Sequence, residues 1–430
     1  MDEKGRRIGL ALSGGGYRAA AYHIGTLRAL HKLGILDRVD VISSVSGGSI
    51  IAAYYMLHKQ EGYEEFEKQF VNKLGKGVMT ATFLWVAIVI LAFFVTYFLI
   101  PNCFQLYYIG IIIIALGYGW YYIFPLSWFV ERGYKKLFFK NSTFGMLPDN
   151  PVLAINATDL TTGNLFTFSQ GNAYCYSYDK ANGYKPSFCT CSLHISKAVM
   201  ASSCVPQFFT PITIDDEFNR NPSFCKRPLL VDGGLYDNQG AHKFEGFDSI
   251  FKVDCAIVSD AGQNYSPSFS YNVIGVLLSS IDAMMRRIKN FQRQHNNYVL
   301  TPKRVIYAYN DLGWDEHDTF IARFVKNIKD GYVPEYVYSL HGISHELAGQ
   351  LGDKDKLQSD IAFRKCANLV AEHIKWTEIL KMKPQNHEVA ISVGTNLVGL
   401  SKNKIEALIS HAEWMTNLQV RLHLPFLLKE

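Results

Sequence analysis

Two long apolar runs dominate the hydropathy pattern of this 430-residue chain. No position between Lys76 and Glu131 is charged, and Thr82 to Ile100 and Leu106 to Ile123 are separated only by Pro101-Asn102-Cys103-Phe104-Gln105. Each run is close to the ~20 residues that, at ~1.5 Å rise, cross a hydrocarbon core of ~30 Å. The polar break fits a tight turn, so the pattern predicts a hairpin of two antiparallel spanning helices. A pair of buried core helices and a re-entrant hairpin are the competing readings, and such length without a charge favours two spans. Lys68, Lys73 and Lys76 before the runs, with Arg132, Lys135, Lys136 and Lys140 after them, put both ends in the cytoplasm and the Asn102 turn on the far side. Trp85, Trp120, Tyr121, Tyr122 and Trp128 read as interfacial belts. Pro125 ends the second span, with Leu126 to Val130 expected along the headgroups.

Outside this stretch the periods are shorter. Arg7 to Leu12 reads as a buried strand, followed by Ser13-Gly14-Gly15-Gly16 and a helix from Arg18 to Leu33. Val39 to Ser44 is a second strand, entering Val45-Ser46-Gly47-Gly48 and a helix to His58. Strand, glycine turn and helix twice over predict an α/β fold with a mainly parallel central sheet covered by helices. Pro151 to Thr158 and Asn164 to Ser169 form a strand pair, Ser192 to Ser203 a helix, Leu229 to Val231 and Cys255 to Ser259 strands, and Ile274 to Arg293 a long helix. The expected organisation is a discontinuous catalytic domain, 1–76 and 131–430, interrupted by a transmembrane helical hairpin over 77–130.

Composition narrows the function classes. A net charge of +5 is too mild for nucleic acid and suits an anionic membrane surface. The eight cysteines have no repeating spacing, so reduced thiols in a cytosolic compartment are expected. Cys189-Thr190-Cys191 near His194 suggests zinc, but no second pair completes four ligands. MDEKGRR runs straight into a strand, so no signal peptide is expected.

Ser44-Val45-Ser46-Gly47-Gly48 has the form of a nucleophile elbow, in which small neighbours let a strand turn sharply into a helix and expose a serine hydroxyl. Ser44 stands where G-x-S-x-G has its first glycine; alone, the motif equally describes a plain glycine-serine loop. Ser13-Gly14-Gly15-Gly16-Tyr17-Arg18-Ala19 follows the first strand, and its backbone N–H groups can converge on an oxyanion. The rival dinucleotide fingerprint needs an acid at the end of the second strand, where Ser44-Val45-Ser46 stands; Asp40 is at its start. Asp232-Gly233-Gly234 would by itself be a turn, but it follows apolar Leu229-Leu230-Val231. Three glycine-rich turns at strand carboxyl ends would share one edge of a parallel sheet. No histidine keeps comparable company, so a serine-aspartate dyad is more economical than a triad. Its aspartate must be partly desolvated to act as a base.

These residues resemble the patatin-like phospholipase family. Gly14, Gly15, Gly16 and Arg18 look like its oxyanion loop, Ser46, flanked by Ser44, Gly47 and Gly48, like its nucleophile, and Asp232 like its catalytic aspartate. Ala201 to Pro211 is similar to its A-S-x-x-x-P-x-x-F-x-P segment, and Asn156 to Leu160 with Gly163 to its A-T-D-L-x-x-G stretch. The resemblance implies a three-layer α/β/α fold and a Ser46–Asp232 dyad cleaving acyl esters of lipids without metal or cofactor. Ser44 and Ala19 depart from the family pattern, small residue for small.

The function expected is therefore a membrane-anchored serine lipid acyl hydrolase, of phospholipase A or lysophospholipase type, with the bilayer and its phospholipids as partners. An acyltransferase using the same dyad and a silent lipid-binding scaffold are the alternatives. An even number of spans keeps Ser46 and Asp232 on one side of the membrane. Arg286, Arg287, Lys289 and Arg293 form a basic run, read as a solvated face rather than a headgroup site. The sequons at Asn141, Asn156 and Asn264 fall in segments expected in the cytosol and unmodified.

Overall fold

The computed structural model describes residues 5–206, 208–220, 227–245, 249–262, 272–297, 305–314 and 319–428. The Asn264 sequon lies outside them. Asn156 is buried inside a strand.

β1 (Ile8–Leu12) and β2 (Val41–Val45) are buried along their whole length. Such near-continuous apolar strands are what a sheet covered on both faces requires. Each feeds a helix, α1 (Gly16–Lys32) and α2 (Gly47–His58). α3 (Tyr63–Leu74) leads to α4 (Thr80–Leu99), α5 (Gln105–Ile123) and α6 (Leu126–Tyr134). β3 (Val152–Asp159), β4 (Asn164–Phe168), β5 (Asn172–Tyr174), α7 (Tyr176–Ala181) and β6 (Phe188–Cys189) precede α8 (Ile195–Ser202). β7 (Ile212–Thr213), β8 (Leu229–Asp232), α9 (Gly234–Asp237), β9 (Cys255–Asp260), α10 (Val273–His295) and β10 (Ile306–Asp311) follow. Beyond them the chain is helical, ending in the long helix Lys402–His423, which packs on α1.

The sheet runs β10-β9-β1-β2-β3-β4-β5-β6, with β8 on β3 and β7 on β8. β10, β9, β1, β2 and β3 are mutually parallel; every pairing beyond them is antiparallel. The expectation of a mainly parallel sheet is thus corrected to a mixed one. The reversal starts at the Asp159 turn, where the Asp159 carboxylate accepts hydrogen bonds from the Thr161 N–H at 3.0 Å and the Thr162 hydroxyl at 2.8 Å. It also accepts the Leu229 N–H at 3.0 Å, which fastens the start of β8 to the same turn.

The two apolar runs form the hairpin, with a short turn at Asn102–Phe104. Phe83, Leu91, Phe98, Leu106, Ile113 and Tyr122 are exposed on it, so no described part of the protein covers its flanks. This differs from the pair of buried core helices weighed above. Leu126, Ser127 and Val130 are buried, with the Ser127 hydroxyl donating to the Thr210 carbonyl at 2.6 Å. α6 is amphipathic and packs on α8; only Trp128 on this stretch is strongly exposed.

Candidate active site

Where β2 ends, Ser46 adopts φ 49° and ψ −118°, a region that costs a side-chain-bearing residue roughly 1–3 kcal/mol. A hydroxyl network holds it there. The Ser46 N–H donates to Ser202 Oγ at 2.9 Å, and Ser202 Oγ donates to the Asn156 carbonyl at 2.6 Å. Ser49 Oγ lies 3.0 Å from Ser202 Oγ and donates to Ser44 Oγ at 3.2 Å, while Ser44 Oγ donates to the Ala154 carbonyl at 3.1 Å. Ser44 is fully buried, so the departure from glycine gives β2 a tether to β3. The glycines after Ser46 answer to space: a Cβ on Gly47 would stand 2.0 Å from the Gly16 carbonyl oxygen, and one on Gly48 2.3 Å from that of Leu12.

Asp232 ends β8 and comes from the opposite direction. β2 is parallel to β3 as far as Val45, opposite Asn156; β8 is antiparallel to β3 and reaches its end with Asp232 opposite Ala157. The two strand tips therefore meet head-on beside β3. This corrects the picture of three turns at one parallel edge, since β8 arrives from the far side. The Asp232 N–H donates to the Cys204 carbonyl at 2.8 Å, and Asp232 Oδ1 accepts the Gly234 N–H at 2.7 Å. The Ser46 side chain approaches the same carboxylate. Burial pushes the Asp232 pKa up to about 6, against the opposing effects of the Gly234 N–H and the Ser46 side chain.

The glycine loop lies across the elbow. The Gly14 N–H is spent on the Asn238 carbonyl at 2.9 Å, which removes it from the expected donors. Gly15 at φ 141° and Gly16 at φ 60° use conformations open to glycine, and no acceptor among the described residues takes their N–H groups. The Arg18 side chain is held by two carbonyls: Nε donates to that of Ala261 at 3.0 Å and Nη1 to that of Val393 at 3.1 Å.

Three supports were not foreseen. His23, fully buried, has Nε2 2.9 Å from the Ser13 carbonyl and Nδ1 2.8 Å from Ser259 Oγ. Burial lowers its pKa to about 4, so it is neutral, and the carbonyl contact fixes the proton on Nε2. The loop at Asn396 closes over α1, accepting the Tyr17 N–H at 2.8 Å and leaving no room for a side chain on Gly16. α10 covers the Asp232 turn, with the Met285 methyl 3.1 Å from where a Cβ on Gly234 would stand. One turn on, Lys289 Nζ lies 2.8 Å from Asp260 and 3.2 Å from Asp311, and Arg293 3.4 Å from Asp311. The basic run is therefore not simply a solvated face: Lys289 and Arg293 point inward.

Ser46 and Asp232 are only 7% and 8% exposed, so the dyad is closed over. A cavity lined by Tyr307, Tyr309, Phe324 and His423 lies beyond β10 and includes neither residue. Among the described residues no group of three or more His, Cys, Asp or Glu side chains that could hold a metal ion occurs. Asp40, the acid weighed for a dinucleotide reading, accepts the Ile8 N–H at 2.8 Å, at the end of the sheet away from the glycine loop.

The patatin-like phospholipase family model matches residues 10–244, more than half of the chain. The chain belongs to the patatin-like phospholipase family. No curated protein matches the chain. Among solved structures, human GIVD cytosolic phospholipase A2 is similar at 12% identity and a TM-score of 0.47, over 97% of this chain and 61% of that one. VipD from Legionella pneumophila is similar at 16% identity and a TM-score of 0.30, over 96% and 91%. ExoU from Pseudomonas aeruginosa, in complex with SpcU, is similar at 14% identity and a TM-score of 0.24, over 94% and 76%. The chain spans about three fifths of the human chain's length.

Proposed function

We propose that this patatin-like chain is a membrane-anchored serine lipid acyl hydrolase working through a Ser46–Asp232 dyad. The observation that supports the reading is the meeting of the β2 and β8 tips, which brings Ser46 beside the buried Asp232 carboxylate. Asp232 takes the Ser46 proton as Oγ attacks the ester carbonyl, the Gly15 and Gly16 N–H groups face the oxyanion, and the proton passes to the leaving alcohol. Water then releases the fatty acid from the acyl-serine by the same steps in reverse order. Labelling with a fluorophosphonate tests this. The wild type is expected to react at Ser46 and Ser46→Ala to give no adduct; equal labelling of both would sink the dyad. Product analysis on phospholipid vesicles distinguishes transfer to water from transfer to a lipid alcohol.

The anchor in this reading is the α4–α5 hairpin, whose exposed apolar flanks have no protein cover and whose ends are flanked by lysines and arginines. The catalytic domain then faces the cytoplasm. Cys103, exposed in the hairpin turn, reports on this directly. In sealed vesicles of known orientation, a membrane-impermeant maleimide is expected to label Cys103 only from the side opposite the catalytic domain. Labelling from the catalytic side would favour a re-entrant hairpin.

A further inference from the structure

Cys189 ends β6 and lies directly across the ladder from Asn172 of β5. Asn172 Oδ1 accepts a 2.8 Å hydrogen bond from Arg220 Nη2, which also reaches the Gly171 carbonyl at 3.4 Å. Two residues on from Cys189, the exposed Cys191 has its Sγ 4.0 Å from that same carbonyl. Two cysteines and one guanidinium thus converge on a single turn. The backbone fixes this arrangement: the Thr190 N–H donates to Gly171, Thr190 Oγ1 to the Ser169 carbonyl at 2.6 Å, and the Cys191 carbonyl accepts the Gly145 N–H at 2.9 Å.

The two thiols are not equivalent. The Cys191 N–H, the Cys191 thiol and then Arg220 hold the Cys189 thiol below its usual range, against burial. The neighbouring Cys189 raises Cys191. One sulfur is disposed to be the thiolate and its neighbour the thiol that follows it.

We propose that Cys189 and Cys191 form a reversible redox site, with Cys189 attacking a small hydroperoxide such as hydrogen peroxide and Cys191 resolving the product to an intramolecular disulfide. In the first step the Cys189 thiolate breaks the O–O bond, taking one oxygen as sulfenic acid and releasing hydroxide, which is protonated to water. In the second, Cys191 Sγ attacks the sulfenic sulfur, the S–S bond forms, and a second water leaves with the Cys191 proton. Two electrons pass from the thiol pair to the peroxide, and a dithiol reductant returns them. The site stands apart from Ser46 and Asp232, and it does not depend on the hydrolase reading.

Trypsin leaves both cysteines on one peptide ending at Lys197, so mass spectrometry of the full chain in detergent tests the proposal. Reduced protein should give that peptide with two N-ethylmaleimide adducts. After stoichiometric hydrogen peroxide it should carry none and weigh two hydrogens less, and dithiothreitol should restore both adducts. Cys191→Ser should accumulate a dimedone-reactive sulfenic acid at Cys189, whereas Cys189→Ser should leave Cys191 alkylatable. The exposed Cys103 is the internal reference. The proposal is overturned if both thiols stay alkylatable, if either bridges to another cysteine, or if Cys103 oxidises at the same rate.

Discussion

Asp232→Asn is expected to lose acyl hydrolysis by on the order of 10²–10⁴-fold while making the folded protein more stable at pH 8. The loss follows from removing the group that accepts the Ser46 proton. The gain follows from burial. With a folded pKa of about 6 against an ordinary value of 3.8, the folded protein binds this proton more tightly than the unfolded chain. Above pH 6 the carboxylate is ionised in both states, and its desolvation weakens the fold by up to about 3 kcal/mol. That penalty shrinks as pH falls from about 6 to about 4. Asparagine keeps an oxygen for the Gly234 N–H and carries no charge. Melting curves of the two proteins should therefore differ most at pH 7–8 and converge near pH 4. The same pKa sets the wild-type rate, with kcat/KM on vesicles dropping about tenfold per unit below pH 6. An Asn variant that hydrolyses at the wild-type rate would remove Asp232 from the reaction. One that melts lower at every pH would show that the carboxylate is structural.

Lys289→Met is expected to destabilise the protein by roughly 3–5 kcal/mol, because it leaves buried Asp260 without its cation and Asp311 with only the 3.4 Å contact to Arg293. Asp260 is fully buried and Asp311 nearly so, at the ends of adjacent strands. Burial works to raise the Asp260 pKa, but Lys289, the Gln239 amide and the Gly262 N–H outweigh it and hold it below the usual carboxylate range. Without the lysine, burial and the repulsion between the two carboxylates favour a proton on one of the acids, so the deficit should narrow as the pH is lowered. Adding Asp260→Asn should return part of the lost stability, and thermal melts of the single and double variants measure this. A Lys289→Met protein with an unchanged melting temperature would mean that α10 does not depend on the ion pair.

The two residues of the proposed dyad stood out because the turns that carry them need unusual local sequence. Small residues crowd Ser46 since the backbone must fold back on the glycine loop, and Asp-Gly-Gly marks the close pass of Gly233 to the Asn156 carbonyl. Both apolar spans were legible for a simpler reason, since length and absence of charge need no partner to be read. What stayed hidden depends on distant partners. Nothing within Leu229–Asp232 says that it lies antiparallel to β3, because short buried strands read alike in either direction. β5, β6 and β7 are two or three residues long, too short for any period to register. His23 looked like an ordinary helical residue until β9 brought Ser259 to it, 236 positions later. The Asn396 loop reaches Tyr17 from the far end of the chain, and Lys289 was read as solvated because its acids come from two other strands.

The placement of the hairpin divides the molecule in an unusual way. Everything up to the Asn102 turn carries β1, β2 and Ser46; everything after it carries β3, β8, β9 and Asp232. A chain severed at that turn would yield two polypeptides, each holding half of the dyad and neither able to hydrolyse a lipid. β1 lies between β2 and β9, and β2 between β1 and β3, so two seams of main-chain hydrogen bonds would draw the pieces back together. Co-expression of 1–102 and 103–430 should restore hydrolysis that neither piece shows alone, making the protein a split reporter with its break point in the hairpin turn.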